Sequence, residues 1–323
     1  MATSKQVFLE STAANTHPFS VEGKTAIVTG AGSGICLSFA ALLLSKNCNV
    51  VFGDLSLRPE AQKVVDTYSS KTAGKPRAVF QKTDVTDWAQ LSRLFDVADA
   101  EFGGLDILCP GAGVYDPYFS NFWHPPGSPE SKDPVAGNSY ASLDINLTHP
   151  IRSTQLAISH FLDSSKGAKV SLTNPKRVVI ISSIAGQCAN LCTPLYVAAK
   201  HGMNGFIRSL GPLDATIGVR VNGVAPGLIK TPLWTEHPEK NKFVDQGKDQ
   251  WATPEEVAEA MLKCMEDPEM GGGTVLEVGK DQTRKVAMLN DPGPRGDGNR
   301  VSKMQVGLDE VFEWLGQDGW GKA

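Results

Sequence analysis

Short apolar runs alternate with longer segments whose apolar residues recur every three or four positions, from about residue 24 to residue 278. A buried parallel strand reads as a short continuous apolar run, whereas an amphipathic helix repeats its apolar positions at helical spacing. The runs Lys24–Thr29, Asn49–Asp54, Ala78–Thr83, Leu105–Cys109, Arg177–Ser182, Val219–Val224 and Thr274–Val278 predict strands. The helical pattern predicts helices over Ser33–Asn47, Ala61–Ala73, Asp87–Phe102, Tyr140–Leu162 with a kink at Pro150, Pro194–Thr216 and Pro254–Glu266. Strand and helix in alternation imply an α/β fold: three layers, doubly wound, around a mostly parallel seven-stranded sheet.

Three segments stand outside this alternation. Residues 1–20 read as an N-terminal arm before a single domain spanning 21–283. Residues 115–139 hold five prolines and several aromatics, which excludes regular structure; a loop of that length is usually functional or disordered. Residues 284–323 form a tail ending in a short amphipathic helix, with Leu308, Val311, Phe312 and Leu315 on one face. That helix is expected to dock on its own domain or on a partner subunit.

Composition narrows the function. Hydrophobic residues make up 41% of the 323 positions and charged residues 20%, enough for a large core. A net charge of −4 without a basic stripe argues against nucleic acid or an anionic membrane as partner. The first twenty residues hold no apolar signal region, and no stretch reaches the ~18 apolar residues of a membrane span. A cytoplasmic protein is expected. The six cysteines show no zinc spacing, so reduced thiols and no metal are expected.

The first strand runs into Gly30-Ala31-Gly32-Ser33-Gly34-Ile35 and then a helix. Glycines admit a sharp turn and let backbone N–H groups approach a pyrophosphate, and the helix N-terminus favours the anion. Asp54 ends the second strand, where an acid can accept both hydroxyls of an adenosine ribose and repel a 2′-phosphate. The nearest following cation is Arg58, so NAD is favoured over NADP. Tyr196 and Lys200 lie four apart near the start of a helix, on one face. A phenol ordinarily titrates near ~10, and a neighbouring ammonium lowers that, which would let Tyr196 serve as acid and base. Ser183 follows the apolar strand before this helix and could hold a substrate oxygen; as a plain alternative it caps the next turn. Asn146, inside a helix, would bridge backbone groups or support a water-mediated proton relay to Lys200.

These residues together resemble the short-chain dehydrogenase/reductase family over about residues 22–280. The motifs are TGAGSGIC from Thr29, Asp84-Val85, GAG at 111–113, Asn146, ISSIAG at 181–186, YVAAK at 196–200 and APGLIKT at 225–231. The stretch from Ser182 to Leu210 is similar to the branch holding 15-hydroxyprostaglandin dehydrogenase and fungal secondary-metabolism enzymes. The resemblance implies a Rossmann fold with Asn146, Ser183, Tyr196 and Lys200 as the catalytic four. It implies Gly30, Ser33, Gly34 and Ile35 at the pyrophosphate, Asp54 at the ribose, and Asp84 and Val85 at the adenine. Ala112 and Gly113 would meet the middle of the cofactor. Pro226, Gly227, Ile229 and Thr231 would face the nicotinamide, and Tyr196 and Lys200 its ribose. Residues 231–250, with Pro232, Leu233, Trp234 and Phe243, look like a substrate lid. The implied activity is NAD-dependent interconversion of a secondary alcohol and a ketone on a bulky, partly apolar small molecule. Oxidation is the expected direction, secondary metabolism a setting, and a homodimer or homotetramer through helices 140–162 and 194–216 the assembly. A redox-neutral isomerase or cyclase, or a non-catalytic NAD-binding protein, would use the same fold. Two departures stand out: Cys36 replaces a usual glycine, and Pro110-Gly111-Ala112-Gly113 replaces Asn-Asn-Ala-Gly.

Overall fold

β1 (Thr25–Thr29) is buried at every position and alternates its side chains between two cores. Ala26 and Val28 face one core and Ile27 the other. β2 (Asn49–Asp54) does the same, with Val50 and Phe52 opposite Val51. Period-two burial on both faces is what a covered parallel strand requires. β3 (Ala78–Lys82), β4 (Ile107–Pro110), β5 (Lys176–Ile181), β6 (Val219–Pro226) and β7 (Val275–Gly279) complete the parallel part of the sheet. The computed structural model describes residues 19–115, 117–236, 245, 248–288, 309, 311–313 and 315–317. The N-terminal arm through residue 18, lid residues 237–244 and 246–247 including Phe243, and most of the tail including Leu308 lie outside them.

The strand order is β3-β2-β1-β4-β5-β6-β7-β8, where β8 is Gln282–Lys285. Connections run outward from β1 in one direction and then, from β4, in the other. The chain therefore leaves a crevice at the C-terminal ends of β1 and β4, where doubly wound folds bind ligands. One core packs α1 (Gly34–Ser45), α2 (Pro59–Thr67) and α9 (Pro254–Glu266) on the sheet through Phe39, Val65 and Met261. The other packs α3 (Trp88–Phe102), α5 (His149–Leu162) and α6 (Pro194–Ser209) through Leu91, Phe161 and Met203. The family-like three-layer α/β architecture is thus present. No described helix is long and apolar enough to cross a membrane.

The sheet differs from expectation in having eight strands. β8 (Gln282–Lys285) turns back antiparallel to β7 around Asp281, whose φ of 55° lies in the left-handed region. All four of its residues are exposed, so it carries no apolar run to betray it. The strand also crosses the boundary expected at residue 283. Beyond it, Leu315 is buried in the second core with Phe312 against it.

Two long helices are interrupted. Residues 141–162 form α4 (Ala141–Leu143), a π-helical turn (Asp144–Thr148) and α5, with Pro150 in the first turn of α5 rather than at a kink. The helix expected to run to Thr216 ends at Ser209, because the missing N–H of Pro212 breaks the ladder and starts α7 (Pro212–Ile217). A short α8 (Pro232–Thr235) begins the lid.

Candidate active site

Gly30 leaves β1 with φ 75°, and a Cβ there would lie 2.8 Å from the Ala112 Cα. Both facts require glycine. Gly32 N donates to Asp54 Oδ2 at 2.8 Å, and Leu55 N donates to Asp54 Oδ1 at 2.7 Å. The Asp54 carboxylate is thereby fixed, and each oxygen keeps a further lone pair to offer. Ser33 is the N-cap of α1 but makes no cap bond, and the first turn of α1 carries no acid. Its N–H ends stay available for an anion. Gly30, Ser33, Gly34 and Ile35 line one side of a cavity of about 1020 Å³, with Asp54, Asp84 and Val85 beside them. The Asp84 carboxylate accepts from the Thr86 N–H and hydroxyl.

The candidate catalytic four meet on the same cavity. Ser183 Oγ accepts from Ala185 N at 3.1 Å, capping a short 3₁₀ turn, Ile184–Gly186. Its own proton remains to be donated. Ser182 Oγ donates to Asn204 Oδ1 at 2.7 Å, and Asn204 Nδ2 donates to the Gly186 carbonyl at 2.9 Å. These buried bonds lock the serine turn onto α6, so Ser183 is held on the cavity that Tyr196 and Lys200 also line. Lys200 is 5% exposed; Nζ donates to the Ile181 carbonyl at 2.8 Å and lies 5.4 Å from the Tyr196 ring centroid. Burial pushes its amine down to about 8. Asn146, in the π-helical turn, donates from Nδ2 to the Val114 carbonyl at 2.9 Å and accepts the Val114 N–H at 3.0 Å. Its amide thus bridges backbone with Oδ1 and one Nδ2 hydrogen, and the second Nδ2 hydrogen is still to be donated.

The far wall is aromatic. Tyr115 meets Tyr196 edge-on at 4.9 Å between centroids and Trp234 at 5.5 Å, and Trp234 meets Trp251 at 5.6 Å. Pro117, Tyr118, Phe119, Trp123, Leu233 and Trp234 also line it. The 117–139 segment has turns and a lone bridge, Asn121↔His124, in place of regular elements. It is tied down by the Trp123 indole, which donates to the Leu191 carbonyl at 2.9 Å, and by Asp133, which accepts from Ala141 N at 2.9 Å. Ala112, Gly113, Pro226, Gly227, Ile229 and Thr231 complete the cavity between the two walls. Ile229 bridges to Ala252 and Gly227 N donates to the Val278 carbonyl, which fixes that stretch on the end of the sheet.

Residues 24–242 match the family model for short chain dehydrogenases. This chain belongs to the short-chain dehydrogenase family. It is 33% identical over 251 residues to a cis-4-hydroxycyclohexanecarboxylate dehydrogenase of Sinomonas cyclohexanicum, covering 76% of this chain and 90% of that protein. It is 30% identical over 266 residues to 15-hydroxyprostaglandin dehydrogenase [NAD(+)] of Rattus norvegicus, covering 78% and 90%. A solved short-chain dehydrogenase/reductase of Brucella melitensis, titled glucose/ribitol dehydrogenase, shares the fold with a TM-score of 0.63 at 22% identity, covering 81% of this chain and 97% of that one.

In this short-chain dehydrogenase the two departures from the family pattern touch each other. A Cβ on Gly111 would lie 2.4 Å from Cys36 Sγ and 3.2 Å from Cys109 Sγ. The sulfur of Cys36 fills the volume that a side chain at 111 would need. Sequence reasoning weighed the two changes separately and missed this, because the residues are 75 positions apart. It also missed His149. This residue is fully buried between β1 and the π-helical turn, with Nδ1 3.1 Å from the Ile145 carbonyl and Nε2 3.0 Å from Thr29 Oγ1. The only advance signal was a histidine three residues after Asn146, on the same helical face.

Proposed function

We propose that the protein is an NAD-dependent oxidoreductase that interconverts a secondary alcohol and a ketone on a bulky, partly apolar, cyclic small molecule, in the oxidative direction. The observation that carries this reading is one cavity bounded by the Gly30–Ile35 loop and Asp54 on one side and by Ser183, Tyr196 and Lys200 on another. The uncapped first turn of α1 and the close backbone approach at Gly30 fit a dinucleotide pyrophosphate.

Gly30, Ser33, Gly34 and Ile35 would hold the pyrophosphate, Asp54 the ribose, and Asp84 and Val85 the adenine. Ala112 and Gly113 would meet the middle of the cofactor, and Pro226, Gly227, Ile229 and Thr231 the nicotinamide. When bound, NAD supplies the hydride acceptor. Arg58 could greet a 2′-phosphate, but its guanidinium is engaged by Glu236, with Nη2 donating to Oε2 at 2.6 Å. This supports NAD over NADP.

Ser183 donates its hydroxyl proton to the substrate oxygen and orients it. Tyr196 takes the proton of the alcohol as its carbon gives up hydride. Lys200 favours the phenolate by charge. With burial holding its amine near 8, Lys200 is still mostly protonated at neutral pH yet able to release a proton. Asn146 holds the Val114 wall, past which water relays that proton to solvent. The aromatic surface of Tyr115, Tyr118, Trp123 and Trp234 suits apolar rings held with few polar anchors. The hydroxycyclohexane and prostaglandin named for the relatives are alcohols of this kind, and secondary metabolism is a setting that uses them. We further place the enzyme in the cytoplasm as a homodimer or homotetramer built through α5 and α6; a monomer by mass measurement would refute the assembly.

The direct test follows absorbance at 340 nm over a panel of cyclic and linear secondary alcohols, with NAD and NADP in parallel. Turnover with NAD on the bulky members supports the reading. Product formed with no absorbance change would replace it with a redox-neutral reaction.

A further inference from the structure

Residues 110–113 are Pro, Gly, Ala and Gly, so this loop at the middle of the cavity has no side chain able to hydrogen-bond. Its conformation must be set through its backbone, by polar groups from elsewhere. Asn146 holds Val114 at one end. At Ala112 the N–H donates to Thr29 Oγ1 at 3.2 Å. A threonine hydroxyl rotates freely unless its proton has an acceptor. Here the acceptor can be named. The Ile145 carbonyl only accepts, so the proton of neutral His149 sits on Nδ1, and Nε2 must accept from Thr29. Burial keeps the imidazole neutral by pushing it down to about 4. The bonds therefore run in one direction: Ala112 N–H to Thr29, Thr29 O–H to His149, His149 Nδ1–H to Ile145. A hydroxyl that donates is also a stronger acceptor.

We propose that His149 is a positioning residue of the cofactor site: by accepting the Thr29 proton it fixes Thr29 as acceptor for Ala112 and so sets the loop against which the cofactor lies. The chain joins the end of β1, the loop after β4 and the turn carrying Asn146. It acts on cofactor affinity and leaves the proton transfer at Tyr196 untouched. The assignment rests on reading Ala112 and Gly113 as cofactor-facing.

The test uses the full chain and three variants that dissect the two ring nitrogens. In His149→Gln the side-chain carbonyl oxygen reaches the place of Nε2 and can still accept from Thr29. In His149→Asn the shorter amide can keep the bond to Ile145 but cannot reach Thr29. Thr29→Val removes the hydroxyl at nearly constant volume. NAD dissociation is measured by tryptophan fluorescence, KM for NAD and kcat by absorbance, and folding by the thermal midpoint. The Asn and Val variants should each weaken NAD about three- to tenfold at nearly unchanged kcat. The double variant His149→Asn/Thr29→Val should be no weaker than either alone, and Gln should restore affinity. Equal losses in the Asn and Gln variants, in step with their thermal midpoints, would make His149 a packing residue and overturn the proposal. So would additive losses in the double variant. Wild-type protein that binds no NAD would overturn the cofactor reading itself, and this assignment with it.

Discussion

On the glycine-loop side of the cavity Thr29 bonds both His149 and Ala112, Asn146 bonds the Val114 backbone, and a single added carbon at Gly30 or Gly111 has nowhere to go. On the substrate side Tyr118, Trp123 and Leu191 are exposed, and the wall is joined by ring contacts and a few backbone anchors. The difference is one of coupling. Close-packed interiors transmit any change in volume, whereas half-exposed aromatics can be exchanged with local consequences. Such a molecule keeps its chemistry and cofactor geometry fixed while its selectivity is free to vary.

The sharpest way to break this comparison is at the chemistry. Tyr196→Phe should lower kcat by about 10²–10⁴-fold while NAD binding persists. Turnover near that of the parent would remove Tyr196 from its role. Next comes the packed side: Gly111→Asn should cost about 1–3 kcal/mol by denaturant unfolding. Adding Cys36→Gly should recover much of it, because the new side chain then takes the place of the sulfur. If the double variant is no better than the single, the two positions are not complementary.

The buried ammonium gives a pH signature. Lys200 titrates near 8 in the fold against about 10.5 unfolded. The folded state thus binds fewer protons than the unfolded between those values, and its burial penalty is full below about 8 and fades as pH rises toward 10.5. Stability of the parent relative to Lys200→Met should therefore improve over that window; a pH-independent difference would contradict the burial. On the open side, Trp234→Ala should raise KM for a bulky alcohol about three- to tenfold, with NAD affinity changed less. If NAD affinity falls as far, the two halves are not separable there. The smallest effect belongs to an exposed pair. Glu236→Gln should release Arg58 and raise relative use of NADP by a few-fold at most, since surface ion pairs are worth about 0–1 kcal/mol.

Much of this was legible because local rules decided it. Helix Pro254–Glu266 is bounded as predicted, and its capping box between Thr253 and Glu256 fixes where it starts. The proline at 212 was equally visible, yet apolar periodicity running through it outweighed the broken ladder. The glycine loop, Asp54, Ser183 and the Tyr196–Lys200 pair fall on one cavity because each sits at a strand end or in the first two turns of a helix, where sequence order and fold order agree. The π-helical turn, the Cys36–Gly111 fit and the link from His149 to Thr29 were not legible. Each depends on which distant segments the sheet brings side by side, and the last spans 120 positions.

The eighth strand has a consequence of its own. Without β8, the sheet would end at β7 with an open row of backbone donors and acceptors, an invitation to any other extended chain. β8 occupies that row, and Arg284 and Lys285 stand exposed on it, with Arg284 bonded across to Glu277. Charged, short outer strands discourage further sheet growth. Four residues that straddle the expected start of the tail therefore act as a selvage, finishing the fabric of the sheet so that it does not run on into a neighbour.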